Sequence, residues 1–561
     1  MKFNLFSTKA RCWVLALFIS VAGRHALALE CGIASAHPLA TRAGCEILAS
    51  GGNAFDAAVG VAAALAVVEP FASGLGGGGF FLLHRAADSK DVFVDARETA
   101  PQRANAAFFT DEKGEARQKA SLDGASAAGI PGEPAALDWL AKGYGKLPLG
   151  ISLLPAIGLA EQGFEADSRY AWAAKYREAQ LQSDARARRA FLNDGAAVAP
   201  GFRVIQPELA MTLRTLAKAG AEGFYKGALA REMVKAVQAA GGLWELADLE
   251  AYRVVEREPL KFRYRDASIT TAPLPSSGGL VLAQCLFILE SRKMAELTDI
   301  ERVHWMVEAM RRGYHDRARY MGDPDFVTVP VERLLSRRYA SARGSSIRSE
   351  RATPSSTLDE LSAAMSEGTD TTHFSVIDAD GNRVAATLSV NGPFGAGFIA
   401  GDTGVLLNNH MNDFVLLDKA PNQYRLTGGA ANRIEPGKRP LSSMSPTFVE
   451  NERGVLVLGT PGGSRIISMV LQAIVGYVDG LSPALEQLVS APRYHHQYLP
   501  DRIEYEPGGY GEKWVADLQA RGHVLEAGRR KWGNMQIVHR DKKNGRMTIA
   551  NDPRGLAGVL F

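Results

Sequence analysis

Apolar and polar positions follow two rhythms along this chain, and the change falls close to residue 371. Before it, most apolar blocks have helical spacing. The pattern predicts a helix over Thr41 to Ser50, broken by Gly51-Gly52, and a second that Asn53 can cap and that runs through Ala57 to Leu65. The second helix is apolar on most sides, which predicts burial between layers. Gly74-Leu75-Gly76-Gly77-Gly78-Gly79 leads into a strand over Phe80 to His84, and Val92 to Arg97 is a short strand ending in charge. From Pro131 to about Ala251 the spacing is mostly helical. A break at Leu274 to Gly279 precedes an apolar helix, Leu280 to Leu289, and a further helix from about Ile300 to Tyr320 stops at Gly322-Asp323-Pro324. Ser341 to Gly368 has few large apolar residues and is expected to be an exposed, mobile connector.

Beyond Thr371 the rhythm becomes that of strands and tight turns. Phe374 to Ile377 and Val384 to Val390 flank an Asp380-Gly381-Asn382 turn, and the segments Gly395 to Phe398 and Gly404 to Leu407 continue the pattern. Val455 to Leu458 is another strand, which Pro461-Gly462-Gly463-Ser464-Arg465 turns into an apolar helix over Ile466 to Tyr477. Mixed elements in this order predict a layered α/β or α+β architecture built as one large unit.

Composition then narrows the classes. Of 561 residues, 46% are hydrophobic and 22% charged, and 64 basic against 61 acidic residues give no nucleic-acid footprint. The glycines at 74, 76 and 79 match a dinucleotide fingerprint only in spacing. The fingerprint needs strand, glycines, helix, whereas here the order is helix, glycines, strand, so nucleotide binding is excluded at this loop. Close backbone approach or a tight turn explains the glycines instead. Lys2, Lys9 and Arg11 followed by an apolar Cys12 to Gly23 and by Ala26-Leu27-Ala28 form an export signal over residues 1–28, too short to span a bilayer. A periplasmic or secreted protein without a membrane span is expected. Of the four cysteines, Cys12 leaves with the signal; Cys31 and Cys45 either pair or remain as buried thiols, and no spacing resembles a zinc site. His495-His496 is expected to be structural, because adjacent residues on a strand face opposite ways.

The candidate chemistry sits at Asp370-Thr371-Thr372-His373. A threonine hydroxyl is a poor nucleophile unless a base lies beside it, and a free α-amine on the same residue can be that base. Its reference pKa of roughly 7.7–8.0 leaves a useful unprotonated fraction at neutral pH. Thr371 would gain such an amine only if the chain broke before it; otherwise Thr371-Thr372 simply begins a strand.

Several further motifs decide between these readings: Gly51-Gly52-Asn53-Ala54, the Gly76 to Phe80 run, Asp95-Ala96-Arg97-Glu98, and Pro275-Ser276-Ser277-Gly278-Gly279. Gly322 to Phe326, Lys438 to Pro446 and Pro461 to Arg465 complete the series. In this order, from about Ile33 to Pro553, the chain resembles the γ-glutamyltransferases (γ-glutamyltranspeptidases), exported N-terminal-nucleophile hydrolases. The resemblance implies an α+β fold, a four-layer αββα sandwich. It also implies self-cleavage at Asp370-Thr371 into a large subunit, 29–370, and a small catalytic subunit, 371–561. It implies attack by Thr371 on γ-glutamyl amides such as glutathione, with transfer to water or to amino-acid or peptide acceptors, and no cofactor or metal. Ser389 would orient Thr371, and Gly462 and Gly463 would form the oxyanion hole. Arg97, Ser442 and Ser443 would bind the α-carboxylate, while Asn391 and Asp413 would hold the ammonium. His410 stands where relatives carry glutamine or glutamate; its protonation is expected to weaken glutamyl binding at acidic pH or to shift substrate preference. Tyr424 would gate a lid over Asp418 to Thr427. The rivals are an acylase of the same fold with another acyl preference, and a non-catalytic periplasmic binding protein.

Overall fold

The computed structural model describes residues 31–358, 371–416 and 429–556. The export signal, Asp370 and the lid segment with Tyr424 lie outside the described residues. Strands β1 (Gly32–Ser35), β2 (Gly78–Arg85), β3 (Lys90–Ala96), β4 (Val255–Arg257), β5 (Leu260–Tyr264), β6 (Ala267–Thr271), β7 (Thr372–Ile377), β8 (Arg383–Ser389), β9 (Thr447–Asn451), β10 (Gly454–Gly459), β11 (Gln536–Asp541) and β12 (Met547–Asn551) build two six-stranded sheets. One has the order β1-β7-β8-β2-β3-β4, the other β12-β11-β10-β9-β6-β5. The helices that matter for the site are α1 (Pro38–Ala49), α2 (Ala54–Val68), α3 (Glu133–Gly143), α4 (Gly278–Leu289), α5 (Asp299–Tyr320), α6 (Arg337–Ser345) and α7 (Arg465–Val478).

Strand β2 shows how the layers form. Its Phe81 and Leu83 join one core cluster with α1 and α2, while Phe80 and Leu82 join a second cluster with α4, α5, α7 and the other sheet. Alternate side chains of a strand face opposite ways, so a continuous apolar run here means burial on both faces. Strands β7 and β8 of the first sheet touch β10 of the second. Helix α2 is buried at every position, and its N-terminus carries a reciprocal capping box between Asn53 and Asp56. The cap anticipated at Asn53 is therefore present. Helix α1 starts earlier than its apolar spacing suggests, because His37 caps it and Pro38 fits its first turn.

The glycine-rich entry to β2 is explained by close approach. A Cβ at Gly77 would collide with the Ser389 carbonyl, and one at Gly78 with the Ala96 carbonyl. The segments 395–398 and 404–407, by contrast, do not extend a sheet; they make isolated bridges, such as Ile399 to Leu406 and Gly76 to Leu407.

The connector expected over Ser341 to Gly368 is corrected as far as Leu358. Residues 337–345 are helix α6, and Ser355 is wholly buried. Its backbone N–H donates to Asp501 and its hydroxyl to the Tyr498 carbonyl, while Arg311 donates to it from α5. A mostly polar segment with only a few apolar anchors, Ile347 and Leu358 among them, is docked here largely by buried polar contacts, which apolar spacing cannot reveal.

Cys31 and Cys45 form a disulfide, and Cys285 is a buried free thiol whose pKa burial pushes far up. A cross-link closing so short a loop is worth ~3 kcal/mol. The double variant Cys31→Ala, Cys45→Ala should therefore melt several degrees lower in non-reducing buffer with KM unchanged. An unchanged melting temperature would contradict that contribution. No helix among the described residues is long and apolar enough to cross a membrane.

Candidate active site

The sheet register brings the first two site residues together. Strands β7 and β8 pair antiparallel with Leu388 opposite Thr372, so the next rung sets Thr371 against Ser389. Their hydroxyl oxygens are 3.1 Å apart, and both residues are buried. The strand start is pinned from behind: Thr372 Oγ1 donates to Glu69 Oε2 at 2.9 Å, and Glu69 pairs with Arg169 at 2.6 Å. Burial pushes the Glu69 carboxyl up, and Arg169 opposes that.

A cleft opens over Thr371, lined among others by Arg97, Ser389, Asn391, His410 and Asp413, with Ser442, Ser443, Gly463 and Arg317 across it. Arg97 is 1% exposed, so it is no surface ion pair. It follows the end of β3, where its backbone N–H donates to Asp95 at 3.0 Å. Its Nη2 donates to Asp413 Oδ2 at 2.5 Å, Nη1 to Glu98 Oε2 at 3.4 Å and Nε to the Pro440 carbonyl at 3.2 Å. The other oxygen of Asp413, Oδ1, is buried without a hydrogen-bond partner among the described residues. Asn391 holds a left-handed φ of +81°, a conformation asparagine tolerates better than most residues. Its N–H donates to Ser389 Oγ at 2.8 Å and its Nδ2 to the Asn409 carbonyl at 3.0 Å.

His410 shows what its position in the sequence did not. Its Nδ1 lies 2.9 Å from Glu98 Oε1, close but without good hydrogen-bond alignment. Burial alone would push the Glu98 carboxyl up; the His410 ring and the Arg97 guanidinium more than offset it and hold it below its ordinary value. A charge on His410 therefore has a carboxylate beside it, which mutes the repulsion of an ammonium expected from the sequence.

Ser442 and Ser443 are propped by the loop before α4. Ser277 donates both its N–H and its hydroxyl to the Ser442 carbonyl, at 2.9 and 2.7 Å, and Ser276 Oγ donates to the Met444 carbonyl at 2.6 Å. Gly462 and Gly463 lie between β10 and α7 at φ of +141° and +58°. Neither backbone N–H donates to an acceptor among the described residues. They precede the N-terminus of α7, where unpaired N–H groups and the helix dipole favour negative charge.

Two buried residues, Arg317 lining the cleft and Glu98 behind Arg97 and His410, escaped the sequence reading. Glu98 was visible only as part of the Arg97 motif. Arg317, on α5, is one arginine among several in Arg311-Arg312-Gly313-Tyr314-His315-Asp316-Arg317-Ala318-Arg319, and no local spacing sets it apart. The histidine pair is held separately: His495 contacts Ser468 and Gln497, and His496 contacts Asp501.

Glu133, the first residue of α3, lies near this network. It is wholly buried, and among the described residues neither carboxylate oxygen has a well-aligned hydrogen-bond partner; the Gly74 N–H nearby only weakly favours its charged form. Burial first, and the charge of Glu98 second, push its pKa from 4.5 up to about 8. The folded protein thus holds a proton that the unfolded chain has released. The stability this group contributes is complete below about pH 4.5 and is lost as pH rises toward about 8. Glu133→Gln removes that titration, so the variant should lose less melting temperature than wild type between about pH 5 and about pH 8. Superimposable profiles would contradict it.

The family model for gamma-glutamyltranspeptidase matches residues 40–560. The chain is 40% identical to the glutathione hydrolase proenzyme of Escherichia coli strain K12, covering 93% of this chain and 90% of that protein. It is 39% identical to the acylase ACY 1 proenzyme of Pseudomonas sp. strain V22, over 90% and 88% of the two chains. The crystal structure of cephalosporin acylase from Bacillus halodurans superposes with a TM-score of 0.81 at 28% identity, covering 93% of this chain and 94% of that one. The chain belongs to the γ-glutamyltranspeptidase family.

Proposed function

We propose that the protein is an exported γ-glutamyl hydrolase and transferase of the N-terminal-nucleophile type, its two packed sheets and outer helices forming a four-layer αββα sandwich. The precursor cleaves itself before Thr371. The Thr371 hydroxyl attacks the Asp370 carbonyl, the amide shifts to an ester, and water releases a large subunit, 29–370, from a small one, 371–561. The freed α-amine then serves as base for the same hydroxyl. In turnover, Thr371 Oγ attacks the γ-carbonyl of a γ-glutamyl amide such as glutathione, the amine leaves with a proton, and water or the amine of an amino acid or peptide takes the acyl group. Ser389 orients the nucleophile, and the N–H groups of Gly462 and Gly463 receive the oxyanion. Arg97, Ser442 and Ser443 bind the α-carboxylate; Asp413, with Asn391 and His410 beside it, holds the ammonium. Export is supported by the N-terminal signal and by the Cys31–Cys45 disulfide, which suits an oxidising compartment.

The observation that carries this reading is the convergence of Thr371, Ser389, Arg97 and Asp413 on one cleft although they come from distant parts of the chain. The rival within the fold, an acylase for acyl groups without an ammonium, is favoured by the acylase relatives. Asp413 Oδ1, without a hydrogen-bond partner among the described residues, favours the γ-glutamyl group, because a buried carboxylate oxygen calls for a donor. Asp413→Asn should raise KM for a γ-glutamyl anilide ~10–100-fold, the worth of one charged hydrogen bond, and affect a glutaryl anilide much less, through the lost pairing with Arg97 alone. Wild type that prefers the glutaryl substrate would establish the acylase reading instead.

A further inference from the structure

Two buried guanidinium groups line the cleft, and they differ in how their charge is met. Arg97 has the carboxylates of Asp413 and Glu98. Arg317, 5% exposed, forms no ion pair with any described residue; the Asp413 carboxylate, already paired with Arg97, attracts it from a distance. Its Nε donates to Ser277 Oγ at 2.9 Å, and its Nη2 reaches Ser443 Oγ at 3.5 Å. Elsewhere on α5 such charges are matched: Arg311 and Arg312 both pair with Glu308, and Arg311 also with Asp501. Burial lowers the Arg317 pKa to about 10, so it stays charged at neutral pH.

A buried charge without a counter-ion is costly, and the cost falls when an anion arrives. The hydroxyl that Arg317 faces belongs to Ser443, which lines the cleft beside Ser442. A guanidinium donating to Ser443 Oγ uses that oxygen as an acceptor, so the hydroxyl proton points away from Arg317 and is free to serve an anion in the cleft. The Arg317 arrangement thus supplies both a positive charge without an ion pair of its own among the described residues and an oriented hydroxyl. Both suit an anion of carboxylate size.

We propose that Arg317 is a positioning and specificity residue for the acyl donor, a second cation that, through Ser443, selects acyl groups ending in a carboxylate. This rests on the γ-glutamyl or acylase reading of the same cleft and adds what the two share. Glutaryl and γ-glutamyl groups both carry a carboxylate at the same distance from the scissile carbonyl. Asp413 would sense the ammonium; Arg317 would sense the carboxylate.

The test compares wild type, Arg317→Met and Arg317→Lys on three p-nitroanilides: γ-glutamyl, glutaryl and 4-aminobutyryl, the last lacking the carboxylate. Arg317→Met should raise KM at least ~10-fold for the two carboxylate-bearing substrates, with kcat within about threefold and 4-aminobutyryl kcat/KM unchanged. Arg317→Lys should recover part of the loss. Glutarate binding is measured in parallel by calorimetry, with butyrate as control, and should weaken at least ~10-fold in Arg317→Met. Equal losses on all three anilides would mark a merely structural residue and overturn the proposal, as would unchanged glutarate affinity. If wild type hydrolyses none of the anilides, the proposed activity fails. Glutarate binding that still depends on Arg317 would then leave this inference standing, and its independence of Arg317 would overturn it.

Discussion

Thr371→Ala should accumulate as one uncleaved chain and show no turnover of a γ-glutamyl anilide. The substitution removes the only atom that the account uses twice, once on Asp370 and once on substrate. Losing a nucleophile from such a constellation typically costs ~10⁴–10⁶ in kcat. The structural cost is far smaller. Thr371 loses one hydroxyl contact, to Ser389 at 3.1 Å, worth about 1 kcal/mol. Melting should therefore move by only a few degrees, which separates lost chemistry from lost fold. Thr371→Ser keeps the hydroxyl and the latent amine and should restore both cleavage and turnover in part. The check is a denaturing gel with an initial-rate assay on the same samples. An alanine variant that still cleaves itself, or that retains wild-type rate, would end the assignment of Thr371.

Gly463→Pro is the second large effect, and it falls on kcat. The residue sits at φ +58° with an N–H that has no acceptor among the described residues. Proline removes that donor and cannot adopt this φ. Loss of one oxyanion donor is worth about 10²–10³ in kcat, or ~3–4 kcal/mol. Gly463→Ala keeps the N–H at some cost in backbone strain, so it should lose much less. The informative readout is the ratio of the two variants at saturating substrate. Equal losses would point to a strained turn rather than a missing donor, and an unaffected proline variant would remove Gly463 from the chemistry.

Much of this site was legible because its motifs carry local physics. Asn53 stands before an apolar block with Asp56 three residues on, which is a cap by sequence alone, and it caps α2. The strand before the Asp380-Gly381-Asn382 turn and the strand after it imply a hairpin, and the hairpin register is what sets Thr371 against Ser389. What stayed hidden depends on partners far along the chain. Ser355 is buried through Asp501 and Tyr498, both more than a hundred residues away, so a polar segment looked like a free connector. Arg317 meets Ser277 and Ser443 from two other elements, and nothing beside it in sequence separates it from Arg311 or Arg312. Glu98 was in view next to Arg97, yet its contact with His410 arises only when the segment after β8 folds back over the end of β3.

The most direct test of the central claim is intact mass with N-terminal sequencing of the purified, active protein. Two chains are expected, the smaller of 191 residues beginning Thr371-Thr372-His373-Phe374, with a mass of about 21 kDa by residue count. An active preparation that remains a single chain, or whose small chain begins elsewhere, would contradict it, because Thr371 would then lack the amine on which its reactivity depends.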